Sequence, residues 1–187
     1  MKRIFGKELC RNRDSLSYPN LVLPNFYRFN MLRTICIKGG NSRLDSIQAA
    51  VLGAKLKHMD KFNEERREHA KKYTELLSNL QISQIVRLPK VAENVVPVWH
   101  LFVVQVEQRD ELLKHLNEKK IGASIHYPVP IHMLGAYEEL RKEGDKFLPC
   151  CMSAAPKLIS LPMYPELSSE AVETVARHIL DWSGLNQ

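Results

Sequence analysis

The chain has 187 residues, 44% hydrophobic, 26% charged and 7% aromatic, which is room for one ordinary core and short for two independent ones. That composition excludes disordered, collagen-like and disulfide-stapled proteins. Residues 1–40 hold eight Lys or Arg against two acids and so carry the whole net charge of +6; a nucleic-acid-binding reading would rest on that arm alone, and nucleic acid is not the expected partner.

Met1 to Glu8 show no apolar stretch followed by a small-residue cleavage site, so a cytoplasmic location is expected. Pro19, Asn20, Pro24, Asn25 and Asn30 interrupt residues 1–38, which stay an unassigned basic segment ahead of a domain over 39–187. From Ser42 the pattern sharpens. Ser42 can cap a helix with Asp45 three residues on, and Leu44, Ile47, Val51 and Ala54 recur at helical spacing. The stripe continues through Leu56, Met59 and Phe62, crosses a charged run from Glu64 to Lys72, and resumes at Ala70, Tyr73, Leu77 and Leu80. This predicts one long helix or two in line, ending near Leu80, with Glu64–Arg67 and Glu68–Lys72 ion pairs on a solvated face.

Beyond it the period changes. Ile85 to Leu88 and Val96 to Val106 are short, β-branched runs that suit strands, with His100 inside the second as a core histidine. The apolar run from Val95 to Val106 is far below the ~20 residues of a membrane helix, so no membrane partner is expected. Asp110 is placed to cap a helix carrying Leu112, Leu113 and Leu116, and Gly122 to end it. Gly122 to Tyr127 reads as a strand entering Pro128-Val129-Pro130. Short helices follow over Leu134 to Leu140 and Cys150 to Lys157, then a strand over Leu158 to Leu161. Ser168 caps a last helix with Val172, Val175, Ala176 and Ile179 on its buried face. The sum is an α/β protein of the α+β type, a long helix followed by a small sheet of three or four strands with packed helices. Cys10, Cys36, Cys150 and Cys151 contain no CxxC pair, so reduced thiols and no metal site are expected.

Four segments carry a resemblance. Gly39-Gly40-Asn41-Ser42-Arg43-Leu44-Asp45-Ser46-Ile47-Gln48-Ala49-Ala50 is followed in order by Trp99-His100-Leu101-Phe102, by Ile121-Gly122 with Ile125-His126-Tyr127-Pro128-Val129-Pro130-Ile131-His132, and by Ser160-Leu161-Pro162-Met163-Tyr164-Pro165-Glu166-Leu167. Together they resemble the DegT/DnrJ/EryC1/StrS sugar aminotransferases over about Gly39 to Trp182. The resemblance implies the C-terminal domain of a fold-type-I, pyridoxal-phosphate-dependent dimer that moves an amino group from glutamate to a keto sugar nucleotide. It also implies that the large domain, with the Schiff-base lysine, has no counterpart in residues 1–38, so this chain alone is expected to be inactive and to bind no cofactor.

Some family roles fall on residues that are present. The resemblance assigns Asn41 to the cofactor phosphate of a partner subunit; the alternative is that Asn41 and Ser42 only cap the helix. Arg43 would meet a substrate phosphate or carboxylate, or lie solvated near Asp45. His126, Tyr127 and His132 would bind sugar hydroxyls or diphosphate oxygens, or His126 and Tyr127 would end a strand with their polar tips satisfied internally. Self-association, or pairing with a homologous aminotransferase, is expected from the apolar stripe of the first helix. A competing reading is a non-catalytic module whose arm, with Arg11, Arg13, Tyr18, Phe26, Tyr27, Arg28, Phe29 and Arg33, contacts a polyanion.

Overall fold

The computed structural model describes residues 44–79, 84–140 and 148–184. Asn41, Ser42, Arg43, the basic arm, Cys10 and Cys36 lie outside the described residues. By internal packing the described residues fall into two units, 44–126 with 156–184, and 127–140 with 148–155.

The first unit opens on helix α1, Ser46–Leu56, followed by α2, Met59–Leu76. The two-helix alternative is the one observed. The cap differs from expectation: Asp45, not Ser42, closes the capping box, accepting from the Gln48 N–H at 2.7 Å while its own N–H faces Gln48 Oε1 at 3.5 Å. α1 has no buried residue; Leu44, Ile47, Val51, Leu52 and Leu56 are 52–79% exposed. α2 instead buries Ala70 and Tyr73, with Leu77 at its C-cap. Arg67 pairs with Glu64 as the spacing predicts, but Lys72 reaches away from Glu68 to Glu173 and Ser169 of the last helix.

Three antiparallel strands form the sheet in the order β1 (Val86–Arg87), β2 (Phe102–Val106), β3 (Leu158–Leu161). Val86 pairs with Val106, and Phe102 with Leu161 in register through Gln105 with Leu158. Phe102, Val104 and Val106 alternate into the core, as a half-covered strand should. Both long-strand expectations are corrected. The segment 96–101 stays outside the ladder because Pro97 has no N–H to give and Trp99 sits at φ +49°, a left-handed turn that breaks the extended run. His100 is therefore exposed rather than a core residue. Gly122 to Tyr127 contributes a single bridge, Ser124 to Ser160, in place of a fourth strand; Pro128 cannot carry the ladder onward.

Helix α3, Arg109–Glu118, buries Leu112 and Leu116. Gln108, not Asp110, is its N-cap, and the chain leaves it through Lys120 at φ +61°, two residues before Gly122. Buried Arg109 donates through Nη1 to the Leu158 carbonyl at 3.1 Å and tethers α3 to β3. Helix α5, Ser169–Ser183, matches expectation: the Ser168 hydroxyl accepts from the Ala171 N–H at 3.1 Å, Val172, Val175, Ala176 and Ile179 are buried, and Gly184 at φ +74° ends it. The core joins α2, the sheet, α3 and α5; Tyr73 stacks on Phe102 with ring centroids 5.1 Å apart and donates its hydroxyl to the Pro162 carbonyl at 3.1 Å. Burial, with Tyr164 nearby, raises the Tyr73 phenol well above its ordinary value.

The second unit holds two 3₁₀ segments, Ile131–Met133 and Gly135–Leu140, and helix α4, Pro149–Ala154. The helix expected over Leu134 to Leu140 is thus a tighter 3₁₀ turn, kinked at Tyr137. Cys150 and Cys151 are free and exposed. No described helix is long and apolar enough to cross a membrane.

Candidate functional site

His126 lies at the end of the first unit, where an extended segment leaves its bridge to β3. Ser124 and Ser160 exchange backbone hydrogen bonds, Ser124 N–H to Ser160 O at 3.1 Å and Ser160 N–H to Ser124 O at 2.7 Å. Residues two apart on an extended chain share a side, so Ser124 and His126 face the same way. Ser160, on the β3 face opposite Ile159 and Leu161, meets them. His126 Nδ1 is 3.0 Å from Ser160 Oγ and 3.4 Å from Ser124 Oγ. Ser160 is buried and His126 half-buried. Partial burial, and then the neighbouring charge site of His100, lowers the His126 pKa from its ordinary 6.5. The ring is therefore held as neutral imidazole over more of the pH range than in the unfolded chain, and a neutral ring has one donor and one acceptor nitrogen.

Tyr127 and His132 belong to the second unit. Tyr127 is 64% exposed, whereas His132 is 6% exposed within the Ile131–Met133 turn. In the first unit His126 has His100, Ser124 and Ser160 as neighbours. Ser124 escapes motif reading and Ser160 opens the fourth motif without an assigned role; the trace each left is Ser124 at i−2 from the histidine, and Ser160 as the polar residue inside the apolar run Leu158 to Leu161.

A pyridoxal phosphate would need an amine able to form an imine with its aldehyde, and donors for its phosphate. Among the described lysines only Lys72 and Lys157 are less than exposed. Lys72 is committed to Glu173 and Ser169, and Lys157 to Glu107 at 2.6 Å. The described residues therefore do not fit the covalent end of that cofactor. No group of three or more His, Cys, Asp or Glu that could hold a metal occurs among them either.

Comparison with known proteins agrees with the motif reading. The model of the DegT/DnrJ/EryC1/StrS aminotransferase family matches residues 21–180, beginning inside the segment that the motifs left unassigned. The dTDP-3-amino-3,6-dideoxy-alpha-D-galactopyranose transaminase of Aneurinibacillus thermoaerophilus is 40% identical over 174 residues, 93% of this chain and 46% of that protein. Among solved structures, DesV of Streptomyces venezuelae, determined with a ketimine intermediate, is 41% identical with a TM-score of 0.69, covering 78% of this chain and 38% of that one. The Bacillus subtilis protein ntda, solved with the cofactor PMP, is 29% identical with a TM-score of 0.63, covering 76% and 33%. The chain spans less than half the length of the curated relatives it matches. With a family match over most of its residues and the same small α/β fold, the protein belongs to the DegT/DnrJ/EryC1/StrS aminotransferase family.

Proposed function

We propose that these residues form the C-terminal, substrate-contacting part of a sugar-nucleotide aminotransferase, and that by themselves they do not transaminate. In this reading the complete catalyst moves an amino group from glutamate to a keto sugar nucleotide in the cytoplasm. The cofactor supplies the electron sink for that exchange when bound. The domain over 39–187 supplies polar contacts: Asn41 toward the cofactor phosphate of a partner subunit, Arg43 toward an anionic substrate group, and His126, Tyr127 and His132 toward hydroxyl or diphosphate oxygens.

The observation that carries the proposal is the contrast between the two halves of the chemistry. A neutral imidazole at His126 supplies one donor and one acceptor nitrogen, which suit the oxygens of a sugar diphosphate. The two least exposed of the described lysines are instead bound to glutamates. A carboxylate-paired ammonium is a poor nucleophile until it loses its proton.

The test is to incubate the chain with pyridoxal phosphate, glutamate and a keto sugar nucleotide, and to reduce a parallel sample with borohydride. Neither amino-sugar product nor a lysine adduct at a defined position is expected. Turnover together with a single stoichiometric adduct would overturn the inactivity. Saturable binding of a sugar nucleotide that weakens on His126→Gln would support the contact role.

A further inference from the structure

The bridge between Ser124 and β3 bears on how His126 presents itself to a ligand. The Ser160 side chain is 3% exposed, and His126 Nδ1 at 3.0 Å is its hydrogen-bond partner among the described residues. A hydroxyl carries one hydrogen, and a buried hydrogen of this kind must point at an acceptor. If Nδ1 bore the ring hydrogen, the Ser160 hydroxyl could only accept from it, and its own hydrogen would have no acceptor among the described residues. If Nδ1 carries its lone pair, the hydroxyl donates into it and the ring hydrogen resides on Nε2. Ser124 Oγ lies 3.4 Å from the same nitrogen, and its hydroxyl can donate there as well.

We propose that Ser160, seconded by Ser124, is a positioning residue that fixes His126 as the Nε2–H tautomer, so that the ring meets an oxygen ligand as a neutral hydrogen-bond donor. The ligand role rests on the reading of His126 as a substrate contact; the tautomer does not. The lowered pKa of His126 accords with this, since burial and His100 both disfavour the doubly protonated ring that would have a hydrogen on each nitrogen. The ligand class is a diphosphate or sugar oxygen, and the serines act on it only through the imidazole. Such orientation of one ring nitrogen by a hydrogen bond to the other is how histidine acquires a definite role in binding sites.

The experiment uses the full 187-residue chain, labelled with ¹⁵N, and two-bond ¹H–¹⁵N correlations of its imidazoles at mildly alkaline pH. His126 is assigned by the pattern that disappears in His126→Gln. The wild type is expected to show an unprotonated, pyridine-type Nδ1 and a pyrrole-type Nε2. In Ser160→Ala the two nitrogen shifts should move toward each other as the tautomers interconvert, and Ser160→Thr, which keeps the hydroxyl, should restore the wild-type pattern. Ser124→Ala should give a smaller displacement in the same direction. A pyrrole-type Nδ1 in the wild type would overturn the proposal with no variant needed, and so would a ring pattern in Ser160→Ala identical to wild type. Titration with inorganic pyrophosphate separates the two readings. An Nε2–H ring whose signals ignore pyrophosphate upholds the positioning role and counts against the substrate contact.

Discussion

At the scale of single residues, His126 couples its surroundings to acidity. Its folded pKa lies below 6.5, so between that lowered value and 6.5 the unfolded chain takes up a proton that the folded chain refuses. The contribution to stability is therefore whole above 6.5 and is lost as the pH falls through this window. In urea titrations at a series of pH values, the midpoint difference between wild type and His126→Gln should shift against the wild type on acidification across that interval. A difference independent of pH would contradict the assignment. Ser168 makes a second, simpler case: its hydroxyl holds the Ala171 N–H at the start of α5. Ser168→Ala should lower the unfolding free energy by about 1 kcal/mol, and Ser168→Asp should recover most of it.

Caps also mark where the sequence was readable. Ser168 stood before a strong apolar period and was found at its predicted place. The spacing predicts Ser42 as cap with Asp45 three residues on; Asp45 is itself the N-cap, with Gln48 as its reciprocal partner. Gly122 looked like a helix stop, but Lys120 took the left-handed position because the buried face of α3 ends at Leu116.

At the scale of elements, α2, β2 and α5 form the packed centre. Phe102 is fully buried, stacks on Tyr73 and touches Trp99, ring centroids 5.4 Å apart. Phe102→Ala should cost about 3–5 kcal/mol, measured by chemical denaturation, since truncation leaves a void between three elements. Helix periodicity exposed this centre in the sequence, because Tyr73, Leu77, Val172, Val175 and Ile179 all fall on predicted faces. The strands were less legible. An apolar run from Val96 to Val106 does not reveal that a turn at Trp99 divides it, since a single backbone torsion leaves no periodic trace. Lys72 shows the same limit for charges: spacing on one helix names Glu68 as partner, and only the fold brings Glu173 within reach. His126 is named from its motif, while the buried serine that addresses it stands in another motif with no role that the sequence assigns.

At the scale of the whole molecule, the apolar stripe on α1 faces solvent in the isolated chain. Contiguous exposure of this kind marks an interaction surface, and self-association through α1 is the expected outcome. Sedimentation should show a concentration-dependent oligomer that Ile47→Glu with Val51→Glu reduces to monomer. Because neither residue is buried, the double variant should unfold at nearly the same denaturant concentration as the dilute wild type. A monomer at all concentrations would refute the association.

The lack of buried contacts along α1 has a kinetic corollary. Eleven residues held by one capping box are fewer than the ~12–15 at which a helix persists by itself in water. Its amides should trade hydrogen for deuterium as a local group, long before those of α5 open, and should slow as protein concentration rises. The stretch would then acquire its order from a neighbour rather than from its own sequence, and the deuterium clock would read assembly residue by residue.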